Sequence, residues 1–171
     1  MNNDERICSI ALTLCPGIGH IGAKRLIEGM GSAAEVLCRR RELPELLPGV
    51  APAVVAALDN PAAFLRAERE MDFVEKNRLT CLTLKDEVYP SRLRECEDAP
   101  VTLFFKGNVD FNRLRVIDVV GTRNATEYGK QFCADFMRDL SAICPDELVV
   151  SGLAYGIDIH SHSAPIANNL S

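Results

Sequence analysis

Apolar positions along this chain repeat with a helical period up to about residue 78 and then with a strand-like one. Ile7, Ile10, Ala11 and Leu14 share one helical face, with Asp4 and Glu5 at the start where the helix dipole favours acids, predicting a helix over 4–14. Ala23, Leu26 and Ile27 open a second helix, and 33–37 forms a short third. Asn60 as cap and Pro61 at the first position begin a long helix to Asn77, whose inward stripe is read as Phe64, Leu65, Ala67, Met71 and Val74.

From residue 79 the pattern changes. The runs 79–84 and 101–105 read as strands, with a short helical or irregular piece at 89–93 between them. Then one device occurs twice: an apolar strand, a glycine turn and a helix. The first copy is the strand 115–120, the turn 121–126 and a helix over 125–142 with Phe132, Phe136, Met137 and Leu140 as its buried stripe. The second is the strand 147–150 and the turn Ser151-Gly-Leu-Ala-Tyr-Gly-Ile-Asp158, where another helix begins. This predicts an α/β chain of two parts, an all-α domain over 1–78 and a parallel-sheet domain over 79–171.

A strand that hands the chain to a helix through glycine leaves unpaired N–H groups at the helix start, a place suited to phosphate. Two such turns from successive strands lie side by side at one sheet edge and suit a ligand with several phosphates. The candidate contacts are Gly121, Thr122, Arg123 and Thr126 from the first turn and Ser151, Gly152, Ala154 and Gly156 from the second. Arg123 suits bidentate phosphate binding. The bland alternatives are that the glycines only satisfy tight turns and that Arg123 braces the loops by pairing with Asp158.

A second candidate lies in the helical part. Pro16-Gly17-Ile18-Gly19, followed by Lys24 and Arg25, resembles the helix-hairpin-helix motif, whose glycine turn offers N–H groups to a DNA phosphate. An echo, Pro48-Gly49-Val50-Ala51, follows 32 residues later and suggests an internal duplication with a structural second copy. Gly17, Gly19, Lys24 and Arg25 are therefore secondary DNA candidates, against a packing-only turn. The run Arg39-Arg40-Arg41 reads as a solvated face.

Composition narrows the classes. A net charge of −5 weakens any expectation of broad phosphate binding but allows a local basic pocket. The seven Cys include no Cys-x-x-Cys pair, so neither zinc nor a disulfide framework is indicated. His160 and His162 are two apart on a helix and cannot face one metal. No catalytic set and no cofactor motif is found. No basic-then-apolar leader and no long apolar window occurs, which argues for a cytosolic protein without a membrane span.

Four blocks then meet a known pattern: Tyr89-Pro90 with Leu93; Asp98-Ala-Pro100 before a strand ending at Gly107; Val120-Gly121-Thr122-Arg123 with Tyr128-Gly129; and 151–158 with His162. In order and spacing they resemble the DNA-processing protein DprA (Smf) family. The resemblance implies a helix-hairpin-helix, sterile-alpha-motif-like (SAM-like) domain followed by a Rossmann-like doubly wound core. It implies a non-enzymatic protein that binds and protects single-stranded DNA in natural transformation, helps load RecA, and dimerises when full-length. Tyr155 stands where many members carry a basic residue, which removes a phosphate partner and supplies a face for base stacking. Pro165 is expected to bend the last helix. The end at Ser171 reads as a piece, only the first half of that core, which puts DNA binding and dimerisation by this piece in question. Two other readings compete: a phosphoribohydrolase-type nucleotide enzyme, whose Gly-Gly-Gly-x-Gly-Thr loop is absent, and a protein-interaction module without DNA binding. A nicotinamide dinucleotide fingerprint is also absent.

Overall fold

The computed structural model describes residues 3–162, and Pro165 lies outside them. The chain divides into two compact units, 1–112 and 113–171. The division expected near residue 78 thus falls inside the first unit.

In the first unit, α1 (Asn3–Leu14), α2 (His20–Met30), α3 (Ala33–Cys38), α4 (Leu43–Leu46), α5 (Pro52–Leu58) and α6 (Pro61–Lys76) precede β1 (Thr80–Thr83), α7 (Ser91–Glu95) and β2 (Thr102–Phe105). The two strands pair antiparallel, Thr80 opposite Phe105 and Thr83 opposite Thr102. They join the helices rather than standing apart, because Cys81 and Val101 enter the same core as Ile10, Leu12, Ala67 and Val74. Arg6 of α1 donates from Nε to the Cys81 carbonyl at 2.9 Å.

Local signals explain most of these elements. Asn60 caps α6 by accepting from Ala62 and Ala63 N–H at 3.1 and 3.3 Å, and Ser32 caps α3. Glu5 does not serve its own helix alone: its two oxygens accept from Ala33 and Ala34 N–H at the start of α3, at 2.9 and 3.0 Å. Leu65, expected in the α6 stripe, is 52% exposed, since the Ala63, Ala67, Met71 and Val74 row already fills the inward face.

The two hairpin turns repeat in backbone detail. Gly17 and Gly49 both have positive φ, +79° and +99°, where glycine is the favoured residue. Ile18 N–H donates to Cys15 O, and Val50 N–H to Leu47 O, each at 3.2 Å. The residues just before the following helices, Gly19 and Ala51, are both extended.

The segment between the strands hangs on a few polar side chains. Tyr89 is fully buried and donates its hydroxyl to the Pro100 carbonyl at 2.7 Å, while the Arg94 guanidinium lies over its ring. Asn112 accepts from Ser91 N–H at 2.7 Å and so caps α7 from a distance. Lys24 reaches the other end of α7, donating from Nζ to the Arg94 and Cys96 carbonyls at 2.7 and 2.6 Å.

The second unit contains β3 (Val116–Asp118), α8 (Glu127–Ile143), β4 (Leu148–Val150) and α9 (Ile157–Ser161). β3 and β4 are parallel, in register from Val116 opposite Leu148 to Asp118 opposite Val150. β3 is shorter than the expected run 115–120 because its described partner spans only three residues. The stripe expected on α8 is also corrected. Cys133 and Met137 face inward, whereas Phe132 and Phe136 are 61% and 46% exposed. The helix carries two adjacent apolar rows, and the buried one meets the start of α9, where Cys133 Sγ donates to Ile157 O at 3.7 Å.

Two stability outcomes follow. Lys24→Met leaves two carbonyls at the end of α7 without their charged donor and is expected to lower unfolding stability by about 1.5–3 kcal/mol in urea titration. Burial pushes the Tyr89 phenol up to about 12. Its folded pKa lies above the ordinary value of about 10, so its contribution is whole below that pH and is lost as pH rises towards 12. Alkaline difference spectroscopy should show one phenol ionising only near pH 12, and Tyr89→Phe should remove that step.

Candidate nucleic-acid interface

The two strand-turn-helix copies of the second unit interlock through backbone. Val119 N–H donates to Val150 O at 2.9 Å as the strands end, and Ile157 N–H donates to Thr122 O at 3.2 Å across the turns. Gly156 has φ +91°, and a side chain there would strike the Thr122 carbonyl and come within 2.7 Å of the Arg123 carbonyl. A side chain on Gly121 would overlap Ile157, 2.7 Å from its Cγ1. Each turn therefore needs its glycine so that the other can approach.

Asp158 completes the lock. It is 5% exposed, and its Oδ1 accepts from Gly121 N–H at 3.1 Å. A Cβ on Gly152 would lie 3.1 Å from Oδ2 of the same carboxylate, so one side chain is wedged between both glycine turns. Asp158 orients Gly121 through the backbone.

The remaining side chains shape the rim. Thr126 caps α8 by accepting from Gly129 N–H at 3.1 Å, and the Thr122 hydroxyl accepts from Asn124 N–H at 3.2 Å. Ala154 O accepts from Ile159 N–H at 3.2 Å. Ser151 Oγ accepts from Leu153 N–H at 3.1 Å and lies 2.8 Å from His162 Nε2. His160 turns the other way, its Nδ1 2.7 Å from Gly156 O, so the two histidines do not converge. Leu153 has φ +52°, a left-handed conformation that sequence patterning did not reveal. Gly152, Tyr155, Gly121, Thr122 and Arg123 are exposed.

Charge singles out Arg123. Residues 113–171 contain five Lys or Arg. Arg113 donates to Asp146 O, Arg115 to Cys144 Sγ, Lys130 pairs with Glu127, and Arg138 pairs with Asp135 and Asp139. The hydrogen bond from Lys130 holds the Glu127 carboxyl below its usual range. Among the described residues, Arg123 alone of the five has no side-chain partner.

The hairpin candidates differ. Gly17 and Gly19 are exposed with open space above them. Lys24 is buried and holds α7, and Arg25 pairs with Glu97 at 2.5 Å. Arg39 and Arg40 pair with Glu42 and Asp59. No group of three or more His, Cys, Asp or Glu among the described residues could hold a metal ion. None of the described helices is long and apolar enough to cross a membrane.

The sequence model of the family described as DNA recombination-mediator protein A matches residues 80–171. The chain belongs to that family. It is similar to the DNA processing protein DprA of Streptococcus pneumoniae, 35% identical over 119 residues, covering 67% of this chain and 41% of that protein. It is similar also to DNA processing protein DprA of Bacillus subtilis, 39% identical over 90 residues, covering 52% of this chain and 29% of that one. The chain spans less than half the length of these relatives. An X-ray structure of DNA processing protein A from S. pneumoniae superposes with a TM-score of 0.48 and 28% identity, over 88% of this chain and 55% of that one.

The family match takes in both interlocked turns. Gly156→Ala is expected to destabilise the second unit by about 2–4 kcal/mol in thermal melts, because both the positive φ and the Thr122 carbonyl oppose a Cβ. Asp158→Ala, which leaves Gly121 N–H without its acceptor, should cost about 1–3 kcal/mol, with Asp158→Asn closer to the parent.

Proposed function

We propose that the second unit grips the phosphate backbone of single-stranded DNA between its two turns, as part of a recombination mediator. The observation that carries this is the unpaired, exposed Arg123 on a turn locked beside the start of the 17-residue helix α8. A guanidinium with no partner among the described residues keeps its donors for a ligand, and the N–H groups of the helix start add to them. Gly121, Thr122 and Thr126 shape one wall, and Ser151, Gly152, Ala154, Tyr155 and Gly156 the other.

In this reading the protein binds rather than catalyses, which accords with the family's description as a recombination mediator. It acts in the cytoplasm, protects incoming strands during transformation, hands them to a RecA recombinase, and works as a homodimer. The first unit reads as a helix-hairpin-helix, SAM-like module, and β3–α8–β4–α9 as the opening of a Rossmann-like doubly wound sheet. Gly17 and Gly19 remain secondary contacts. Lys24 and Arg25 contribute less, being already engaged with Arg94, Cys96 and Glu97.

Arg123→Ala is the direct test. Fluorescence anisotropy with a labelled oligonucleotide should show affinity falling by about 10- to 100-fold, and the slope of log K against log salt should shrink by about one. Parent-like binding by this variant would sink the assignment.

A further inference from the structure

Ser151 and His162 form a couple that ties the head of the second turn to the end of α9. Both are half-buried, and Ser151 Oγ lies 2.8 Å from His162 Nε2. The same Oγ accepts from Leu153 N–H at 3.1 Å, which helps to hold Leu153 at φ +52° and so sets the path of the turn.

A hydroxyl has one proton and two lone pairs. Leu153 takes one lone pair of Ser151. Beside a neutral imidazole the hydroxyl proton goes to a bare Nε2, because the other tautomer would leave that proton without an acceptor among the described residues. Beside an imidazolium the bond reverses: Nε2–H donates to the second lone pair, and the hydroxyl proton is free to point outward. Leu153 N–H keeps its acceptor in both states, so the turn holds its shape while its donors change.

We propose that His162 is a positioning residue for the second turn: by taking up a proton it redirects the Ser151 hydroxyl from the imidazole to a phosphate oxygen of the ligand. The inference rests on the reading of the two turns as a phosphate grip. The imidazolium also places a positive charge one hydrogen bond behind that hydroxyl, so both changes favour an anion. Binding therefore tightens as pH falls through the range where imidazoles titrate, about pH 5–8, and loosens as pH rises through it. A phosphodiester stays anionic and thymine stays neutral across that range, so the ligand does not change charge.

The other titratable groups on the elements packed with α9 make no bond to His162. On α9 itself, Asp158 accepts from Gly121 N–H and His160 lies against Gly156 O. On α8, Glu127 pairs with Lys130, and Cys133 donates to Ile157 O. Arg123 and Tyr155 stand exposed on the turns, and Asp118 is exposed on β3.

Anisotropy of a labelled oligothymidylate on the full chain, read at about pH 6 and about pH 8, tests the link. The parent should bind about five- to tenfold more tightly at the lower pH. His162→Gln, which keeps a hydrogen-bonding nitrogen but cannot titrate, should lose that ratio, whereas His160→Gln should keep it. By reciprocity the oligonucleotide should move the NMR titration of the His162 ring to higher pH. A histidine that only packs would show neither effect. Equal affinity of the parent at both pH values, or the parent's ratio in His162→Gln, overturns the proposal. Arg123→Ala should weaken binding at both pH values and leave the ratio intact. If Arg123→Ala binds like the parent while His162→Gln still abolishes the ratio, the Arg123 assignment falls and the proton link stands. A parent that binds at neither pH overturns both.

Discussion

The carboxylate of Asp158 reaches back between two successive turns and fixes both, accepting from the Gly121 amide on one side and abutting Gly152 on the other. Around it the backbone of one turn meets the backbone of the other, Ile157 N–H on Thr122 O, with Gly156 pressed against Thr122 and Arg123. A contact of backbone on backbone leaves no side chain to adjust, so the position of each turn follows from the other. The geometry offered at the exposed edge is therefore set before any ligand arrives, which lowers the ordering cost of binding. A buried acid so close to the proposed phosphate site looks paradoxical. Its role is to position an amide, which it can do without meeting the ligand.

The same economy of charge runs through the chain. With a net charge of −5, the protein has no excess of cations to spread over its surface, and most are tied internally. Lys24 is the clearest case: its sequence context suggests a DNA contact, yet its ammonium ends α7 by holding two carbonyls. Arg94 lies over Tyr89 and donates to Asp86 O. Within the second unit, where the other four Lys and Arg are engaged, Arg123, with no side-chain partner among the described residues, stands out more than it would in a basic protein, where many free cations are expected.

Much of this was legible from pattern. The helix over 4–14, the Asn60-Pro61 start and the duplicated strand-turn-helix device all follow from spacing and capping chemistry, which are local. What was not legible depended on distance or on supply. Asn112 caps a helix that begins 21 residues earlier, and Glu5 caps one that begins 28 later, and no periodicity links such pairs. Phe132 and Phe136 are exposed where the pattern placed them inward, because α8 has two apolar rows and the sequence does not say which one is buried. The glycines of the turns were legible as turn residues, but not that each makes room for the opposite turn.

The exposed apolar groups and Arg123 of the second unit bear on one another. A site that relied on charge alone would lose affinity steeply with salt, and in an acidic chain it would also work against long-range repulsion of a polyanion. Affinity drawn from base faces is far less sensitive to salt, because the contact is short-ranged and uncharged. On the proposed reading Arg123 needs only to fix the register of the backbone, a task for which one bidentate donor on a rigid turn suffices. On the proposed reading, the rigidity imposed by Asp158 and Gly156 holds the two turns at a constant separation, a feature that a flexible phosphate backbone can match.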